Sequence, residues 1–354
     1  MDEDAAILTS YFRERHRAGA TFPGGALMDR YRRRAVAAGV LLRGIEGYGP
    51  GRPQPGSAHV FPPTEDPPMT AVAVDTRPRI EALLDEATEL TQARLITLER
   101  ARLLSGEIEP LRLGESATEA TRLTIYCGQA DRVYQVPAFE AACELLYRRG
   151  IAGATVLSGT DGIAGGPRQR VPFPRHGGDA PLMIVAVSSG QRIGMVLPEL
   201  GGLFRHPLMT VAAVRPCLRD GQFINRPETL PEADVAVPAG MASRVKLAIY
   251  TSEAARHDGQ PVHRAIVRRL RYAGVNGATA VRGIWGFHGD HAPHGGHSPR
   301  HGHHLPVITT VVDTRERIAA AFDIIDPFGP GLGLVTAEAT LTSELAGVPL
   351  EQGS

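Results

Sequence analysis

Three patterns in this chain place residues where they could bind something. The turns RGIEGYG and RGIWGFHG set an arginine beside closely spaced glycines: Arg43, Gly44, Gly47 and Gly49 in one, Arg282, Gly283, Gly286 and Gly289 in the other. Backbone N–H groups in such a run can form a concave nest for an anion, and the adjacent guanidinium suits a phosphate. The same glycines also serve where a bulge or tight turn is all that is needed. A second cluster, FGPGLGLVT, holds Gly329, Gly331 and Gly333, a further phosphate cradle or an ordinary helix C-cap. The third pattern is FHGDHAPHGGHSPRHGHH, with His288, His291, His294, His297, His301, His303 and His304, seven of the thirteen histidines. Imidazoles suit zinc, copper or nickel, and Asp290 would add an oxygen ligand. Pro293, Pro299 and the glycines keep these residues off one helix face, so a metal site there would form only on binding; a loop without a defined metal is the competing reading.

Other chemistries find no foothold. The only lysine, Lys246, stands between Val245 and Leu247, which excludes a phosphate loop of the GxxxxGK[ST] type. Nucleophile elbow, HExxH, paired carboxylates and a cysteine beside a histidine are all missing as local motifs, so a non-catalytic protein is expected. Basic and acidic residues number 38 each, giving no global field toward nucleic acid or anionic membrane. Arginine-rich stretches (Arg30, Arg32, Arg33, Arg34; Arg148, Arg149; Arg264, Arg268, Arg269, Arg271) lack interleaved aromatics and read as solvated helix faces, so no nucleic-acid partner is expected. Cys127, Cys143 and Cys217 are odd in number and without CxxC spacing, which fits reduced, buried thiols. With no apolar signal run after Met-Asp-Glu-Asp and no stretch near the ~20 apolar residues of a membrane span, a cytoplasmic location is expected.

The elements that must position these residues recur three times. PMTAVAVDTRPRIEALL from Pro68, PLMIVAVSSGQRIGMVL from Pro181 and PVITTVVDTRERIAAAF from Pro306 share a proline, an apolar strand and a [DS]-[TS]-x-x-R-I helix start. Leu95 to Thr97, Leu208 to Thr210 and Leu334 to Thr336 repeat an L-x-T further on. Upstream, each copy has a strand candidate (from Ala6, Arg122 and Lys246), a helix-ending glycine (Gly39, Gly150, Gly274), an apolar strand and a Gly-rich turn (at Arg43, Ser158 and Arg282). Apolar residues at helical spacing (Ile80, Leu83, Leu84, Ala87; Ile193, Val196, Leu197, Leu200; Ile318, Ala321, Phe322, Ile325) define one buried face of each second helix. Asp75/Thr76, Ser188/Ser189 and Asp313/Thr314 stand at its N-cap. Each copy therefore reads βαββαβ, the ferredoxin-like α+β pattern, over residues 1–106, 120–221 and 242–346, with aperiodic linkers at 105–119 and 222–241. Gly39 to Gly44 spans five residues where Gly150 to Gly159 and Gly274 to Gly283 span nine, so the second strand of unit one is expected to be four residues short.

RGIAGATVLSGTDGIAG with VPAFEAACELLYRRG before it, and RGIWGFHGDHAPHGG, resemble the domain of unknown function 190 family of PII-like proteins, over nearly the whole chain and most weakly in unit one. The resemblance implies ferredoxin-like units assembled as a trimer, with long T-loops after the second strand and small effectors, commonly adenine nucleotides, in the clefts between neighbours. Three tandem units would build that trimer within one chain, a monomer with a pseudo-threefold axis and non-identical clefts. FGPGLGLVT falls where PII proteins carry a phosphate-binding loop, and the His-rich run falls in the T-loop of unit three. The expected ligand is a small anionic effector, an adenine nucleotide first and a divalent metal second. The expected partner is a membrane transporter or fluoride channel. The competing reading is a structural adaptor with empty clefts. In all these readings the loop from His288 to His304 is expected to be ordered only by a ligand or partner.

Overall fold

The computed structural model describes residues 2–17, 21–49, 66–91, 95–114, 119–164, 169–170, 179–230, 237–238, 240–289, 291–295 and 304–343. Unit one contains β1 (Asp2–Arg13), α1 (Pro23–Arg33), β2 (Ala38–Arg43), β3 (Glu46–Tyr48), β4 (Pro68–Thr76), α2 (Arg77–Glu81), α3 (Leu84–Thr91) and β5 (Leu95–Ser105). Unit two contains β6 (Ala120–Gly128), a hairpin of β7 (Arg132–Val133) and β8 (Val136–Pro137), α4 (Ala138–Arg148), β9 (Gly153–Ala164), β10 (Gln169–Arg170), β11 (Pro181–Ser188), α5 (Gly190–Leu203), β12 (Leu208–Arg219) and β13 (Gln222–Phe223). Unit three contains β14 (Met241–Ser252), a hairpin of β15 (Arg256–His257) and β16 (Gln260–Pro261), α6 (Val262–Tyr272), β17 (Ala278–Arg282), β18 (Trp285–His288), β19 (His294–Gly295), β20 (Pro306–Asp313), α7 (Arg315–Ile325) and β21 (Leu332–Ser343). The fold is mixed α/β.

Within each unit the strands are antiparallel and ordered fourth, first, third, second: β5-β1-β4-β2, β12-β6-β11-β9 and β21-β14-β20-β17. The units do not stand apart. Among the described residues seventeen strands form one continuous sheet, because the last strands pair around a ring, β5 with β12, β12 with β21 and β21 with β5. Helices cover the outer sheet face of each unit, giving three separate cores around Phe322, Leu197 and Ile80. A fourth core, including Ile7, Val72, Val185, Leu208, Ala248 and Ile308, is assembled from all three units where the inner sheet faces meet.

Along that inner face two pairs of opposite charges lie buried. Arg122 of β6 donates through Nη2 to Glu99 of β5 at 2.9 Å and through Nη1 to Glu338 of β21. Lys246 Nζ bonds Glu99 at 2.6 Å and Glu338 at 2.8 Å. Burial alone would push the Glu99 carboxyl up; Lys246 and Arg122 overcome it and hold the group down at about 2. Beside them is a cavity of about 100 Å³ ringed by Tyr11, Tyr126 and Tyr250. Burial raises the Tyr126 and Tyr250 phenols to about 12, so both stay neutral.

Several local expectations change. Gly39 lies inside β2, and the helix-ending residue of unit one is Ala35, at φ +48°, matching Gly150 at +69° and Gly274 at +75°. All three close the same motif: Val36 N–H bonds Tyr31 O, Ile151 bonds Leu146 O and Val275 bonds Leu270 O. Counted from Ala35, unit one reaches Gly44 in nine residues like the others, so its second strand is not short; sequence reading passed over Ala35 because alanine rarely turns left-handed. Ala35→Gly should raise stability by ~0.5–1 kcal/mol in denaturant unfolding, since the left-handed turn costs alanine ~1–2 and glycine's freer unfolded chain gives back ~0.4–1.

The second helix of unit one is not continuous but breaks between Glu81 and Leu84. The turn expected at Ser158 is instead the outer half of the 12-residue strand β9. Ser189 and Thr314 cap their helices through Arg192 N–H and Arg317 N–H, both at 3.4 Å. Asp75 and Asp313 also bind across the fold, accepting from Ala37 N–H at 3.0 Å and Asn276 N–H at 2.9 Å.

The described parts of both linker segments pack against the units. Residues 107–113 lie along α5, where a Cβ on Gly190 would stand 2.9 Å from Leu113 Cβ and one on Gly201 3.2 Å from Ile108 Cβ. After β13, Arg315 of α7 donates to Glu228 O at 2.6 Å and Phe223 meets Phe322 edge-on. The three cysteines are free and buried.

Candidate functional site

The glycine-rich turns form seams between units. β3 of unit one pairs with β17 of unit three, β9 of unit two with β2 of unit one, and β18 of unit three with the inner half of β9. A Cβ on Gly47 would lie 2.6 Å from Ala278 O, and one on Gly286 would overlap Ala154 O. Gly44 and Gly283 fit over prolines: their Cβ atoms would be 2.7 Å from Pro68 Cγ and 3.0 Å from Pro306 Cγ. These glycines are needed for the close approach of two backbones. Gly49 has open space where a Cβ would be.

The two arginines of the turns have partners in their own units. Arg43 pairs with Glu14 at 3.1 Å and Arg282 with Glu253 at 3.0 Å. Unit two carries Ser158 and Gln129 at the matching positions, so both members of the pair change together. That correspondence gives the arginines a fold-holding role beside the one expected from sequence. Trp285 packs edge-on against Phe139 with ring centroids 6.0 Å apart, so it joins the core of unit two.

A large opening lies between units two and three, a cavity of about 640 Å³. One wall is apolar, built by Val185, Val187, Tyr250, Phe287 and Leu332. The lining also includes Gly286, Gly289, Gly331 and Gly333, together with Thr155 and Ser252. Thus two of the three glycines of FGPGLGLVT reach the cavity; Gly329 sits before them at φ +41° in a 3-10 stretch, Asp326–Gly331. Gly289 turns left-handed at φ +58° and donates its N–H to Ala152 O at 2.8 Å, tying the turn to unit two.

Four histidines line the same cavity: His288, His291, His294 and His304. His288 rests on Gly333, whose Cβ would come 2.8 Å from its Cε1, and its Nε2 meets Asp220 Oδ1 at 2.9 Å. His294 contacts Ala292 O through Nδ1 at 3.0 Å and His304 O through Nε2 at 3.3 Å. Among the described residues no group of three or more His, Cys, Asp or Glu is placed to hold a metal ion. His297, His301 and His303, with Asp290, lie outside the described residues.

Two cavity residues escaped the sequence reading. Arg219 and Asp220 come from the end of β12 in unit two and face unit three. Asp220 and Gly221, at φ +51° and +76°, make the two-residue turn between β12 and β13, with Arg219 paired to Gln222. The Asp-Gly dipeptide was the available signal, since it favours this hairpin. Among the described residues the Arg219 guanidinium has no ion-pair partner. The buried quartet Glu99, Arg122, Lys246 and Glu338 was equally missed. Superposing the repeats would have exposed it, because charges stand at positions where other copies hold Ile7 and Ala212.

The fold and its seams thus define a protein of three homologous βαββαβ units joined edge to edge. The DUF190 family model, described as an uncharacterized ACR, matches residues 5–103, 120–216 and 244–341. The chain belongs to this family. A UPF0166 protein of Aquifex aeolicus is 29% identical over 92 residues, 26% of this chain and 86% of that protein. Among solved structures, an aspartate kinase from Synechocystis aligns with 96% of this chain and 45% of its own, at 10% identity and a TM-score of 0.24, too low to carry an argument about fold. Among the described residues no helix is long and apolar enough to cross a membrane.

Proposed function

We propose that this chain is a PII-like regulatory protein: three ferredoxin-like units wrapped as an intrachain pseudo-trimer, taking a small anionic effector, an adenine nucleotide, in the cleft between units two and three. The strand order fourth-first-third-second in every unit and the closed ring of β5, β12 and β21 support the architecture. One observation carries the ligand: a 640 Å³ opening at a unit boundary brings apolar side chains, fit for a purine, together with the Arg219 guanidinium and glycine backbone, fit for phosphates. Binding there bridges Arg219 of unit two to the His288–His304 loop of unit three. That loop then presents a surface to a partner, a membrane transporter or fluoride channel.

Titration calorimetry with ATP, ADP, AMP and inorganic phosphate tests the ligand. Arg219→Ala should weaken nucleotide binding roughly tenfold or more, about 1.4 kcal/mol, while leaving thermal unfolding of the free protein nearly unchanged, because among the described residues the Arg219 guanidinium has no ion-pair partner. Equal affinity in both proteins, or no binding by wild type, rejects the reading. Zinc titrated without nucleotide separates the metal alternative, and silence toward every anion and metal leaves the adaptor.

A further inference from the structure

The three clefts between units differ at one backbone-matched position. Arg13, Gly128 and Ser252 each face the proline that opens the third strand of their unit, Pro68, Pro181 and Pro306. In unit three this residue is small, and the cavity lies open beside it, bordered by Gly286 and His304. The matching positions in unit one are Gly47, three residues after Gly44 as Gly286 is after Gly283, and Asp66, two before Pro68 as His304 is before Pro306. Arg13 joins those two points: Nη1 donates to Asp66 O at 2.8 Å and Nη2 to Gly47 O at 3.1 Å. In unit two the space beside Gly128 is taken by Gln169 and Asp179, bonded to each other at 2.7 Å; a Cβ there would lie 2.9 Å from Gln169 Nε2.

We infer that Arg13 is a built-in occupant of the unit-one cleft: its guanidinium fills the place that stays open in unit three, so this side chain closes unit one to a ligand. The planar fork suits the task, since two N–H groups reach two carbonyls that diverge from the ends of the loop. A neutral side chain of the same length would leave those carbonyls unbridged and half-buried. The identity of the ligand admitted in unit three rests on the function proposed above; the occupancy of the unit-one cleft by Arg13 does not.

The experiment has two arms. In the first, Arg13→Ser, which installs the residue of unit three, is melted with and without millimolar guanidinium chloride, far below denaturing levels, against equal sodium chloride. Guanidinium should raise the Tm of Arg13→Ser by several degrees more than that of wild type, and crystals soaked in it should show the ion between the Gly47 and Asp66 carbonyls. An equal response of both proteins overturns the inference. If Arg13→Ser does not fold alone, refolding in millimolar guanidinium but not in sodium chloride is the supporting result, and failure in both overturns it. In the second arm, Ser252→Arg should place a guanidinium across Gly286 and His304 and weaken ATP binding roughly tenfold or more, with Tm unchanged or higher. ATP binding equal to wild type overturns the claim that this position gates the cleft. Should wild type bind no ATP, the nucleotide reading fails alone, and the guanidinium arm still decides whether Arg13 is an occupant.

Discussion

Arg122→Leu should lower the unfolding free energy by ~3–5 kcal/mol, the usual consequence of stripping one partner from a buried ion pair. The variant leaves Glu99 and Glu338 facing each other with Lys246 as their single cation, far from water. Urea unfolding measures the loss, and the double variant Arg122→Leu with Glu99→Leu should recover most of it, because Lys246 and Glu338 then remain a matched pair. A loss below ~1 kcal/mol in the single variant would mean that the quartet is wet, like a surface pair. The pH dependence follows from the sign of the shift. Glu99 titrates at about 2 when folded against an ordinary 4.5, so its contribution is complete above 4.5 and disappears as pH falls toward 2. Arg122→Leu removes one of the cations that hold Glu99 down, and acid unfolding should begin at a higher pH than in wild type.

Gly286→Ala should act on the seam. The added methyl would overlap Ala154 O and stand 2.9 Å from Pro306 Cγ, both parts of rigid backbone or ring. Relief requires β18 to leave β9, which separates Trp285 from Val156 and Phe287 from Ala154. The expected loss is about 3 kcal/mol, at the upper end for overpacking, with a red-shifted emission from Trp285, the only tryptophan, and no remaining effector binding. Gly289→Ala is the control: nothing lies within 4 Å of its Cβ position, so it should lose only the ~1–2 kcal/mol of a left-handed alanine and keep the Trp285 spectrum. Equal emission shifts from both variants would place the effect in loop stiffness and not in the seam.

The parts of the fold that were legible in sequence are those governed by local rules repeated three times: the proline-led strands, the i, i+3, i+4 apolar faces and the caps at Ser189 and Thr314. Where the chain broke a local rule, the reading slipped. Ala35 occupies a glycine position, so the sequence points to Gly39 as the helix-ending residue and to a short strand where one of full length stands. The glycines from Ser158 onward read as breakers in sequence, but Gly162 is there because the backbone of β2 runs against it, its Cβ position overlapping Gly39 O. The glycines of the cleft were visible as a composition, but their partners came from another unit, and Arg219 lies 67 residues before Gly286 with no pattern linking the two. Arg43 and Arg282 looked free for a phosphate since nothing in their neighbourhood in the sequence announces Glu14 or Glu253. Apart from Ala35, long-range pairing, and not propensity, decided these cases.

The buried quartet also sets a rule of composition for the assembly. Exact threefold symmetry can only multiply what one repeat carries at these positions. Three copies of unit one would gather three carboxylates from Glu99 against three isoleucines at Ile7, and three copies of unit two would gather three guanidiniums from Arg122 against three alanines at Ala212. Only unit three, which pairs Lys246 with Glu338 on adjacent strands, balances by itself. Units one and two are therefore electrically incomplete alone and complementary together, one supplying an anion and the other a cation. Joining them in a single polypeptide fixes their ratio at one to one and makes the order of the repeats part of the neutrality of the axis.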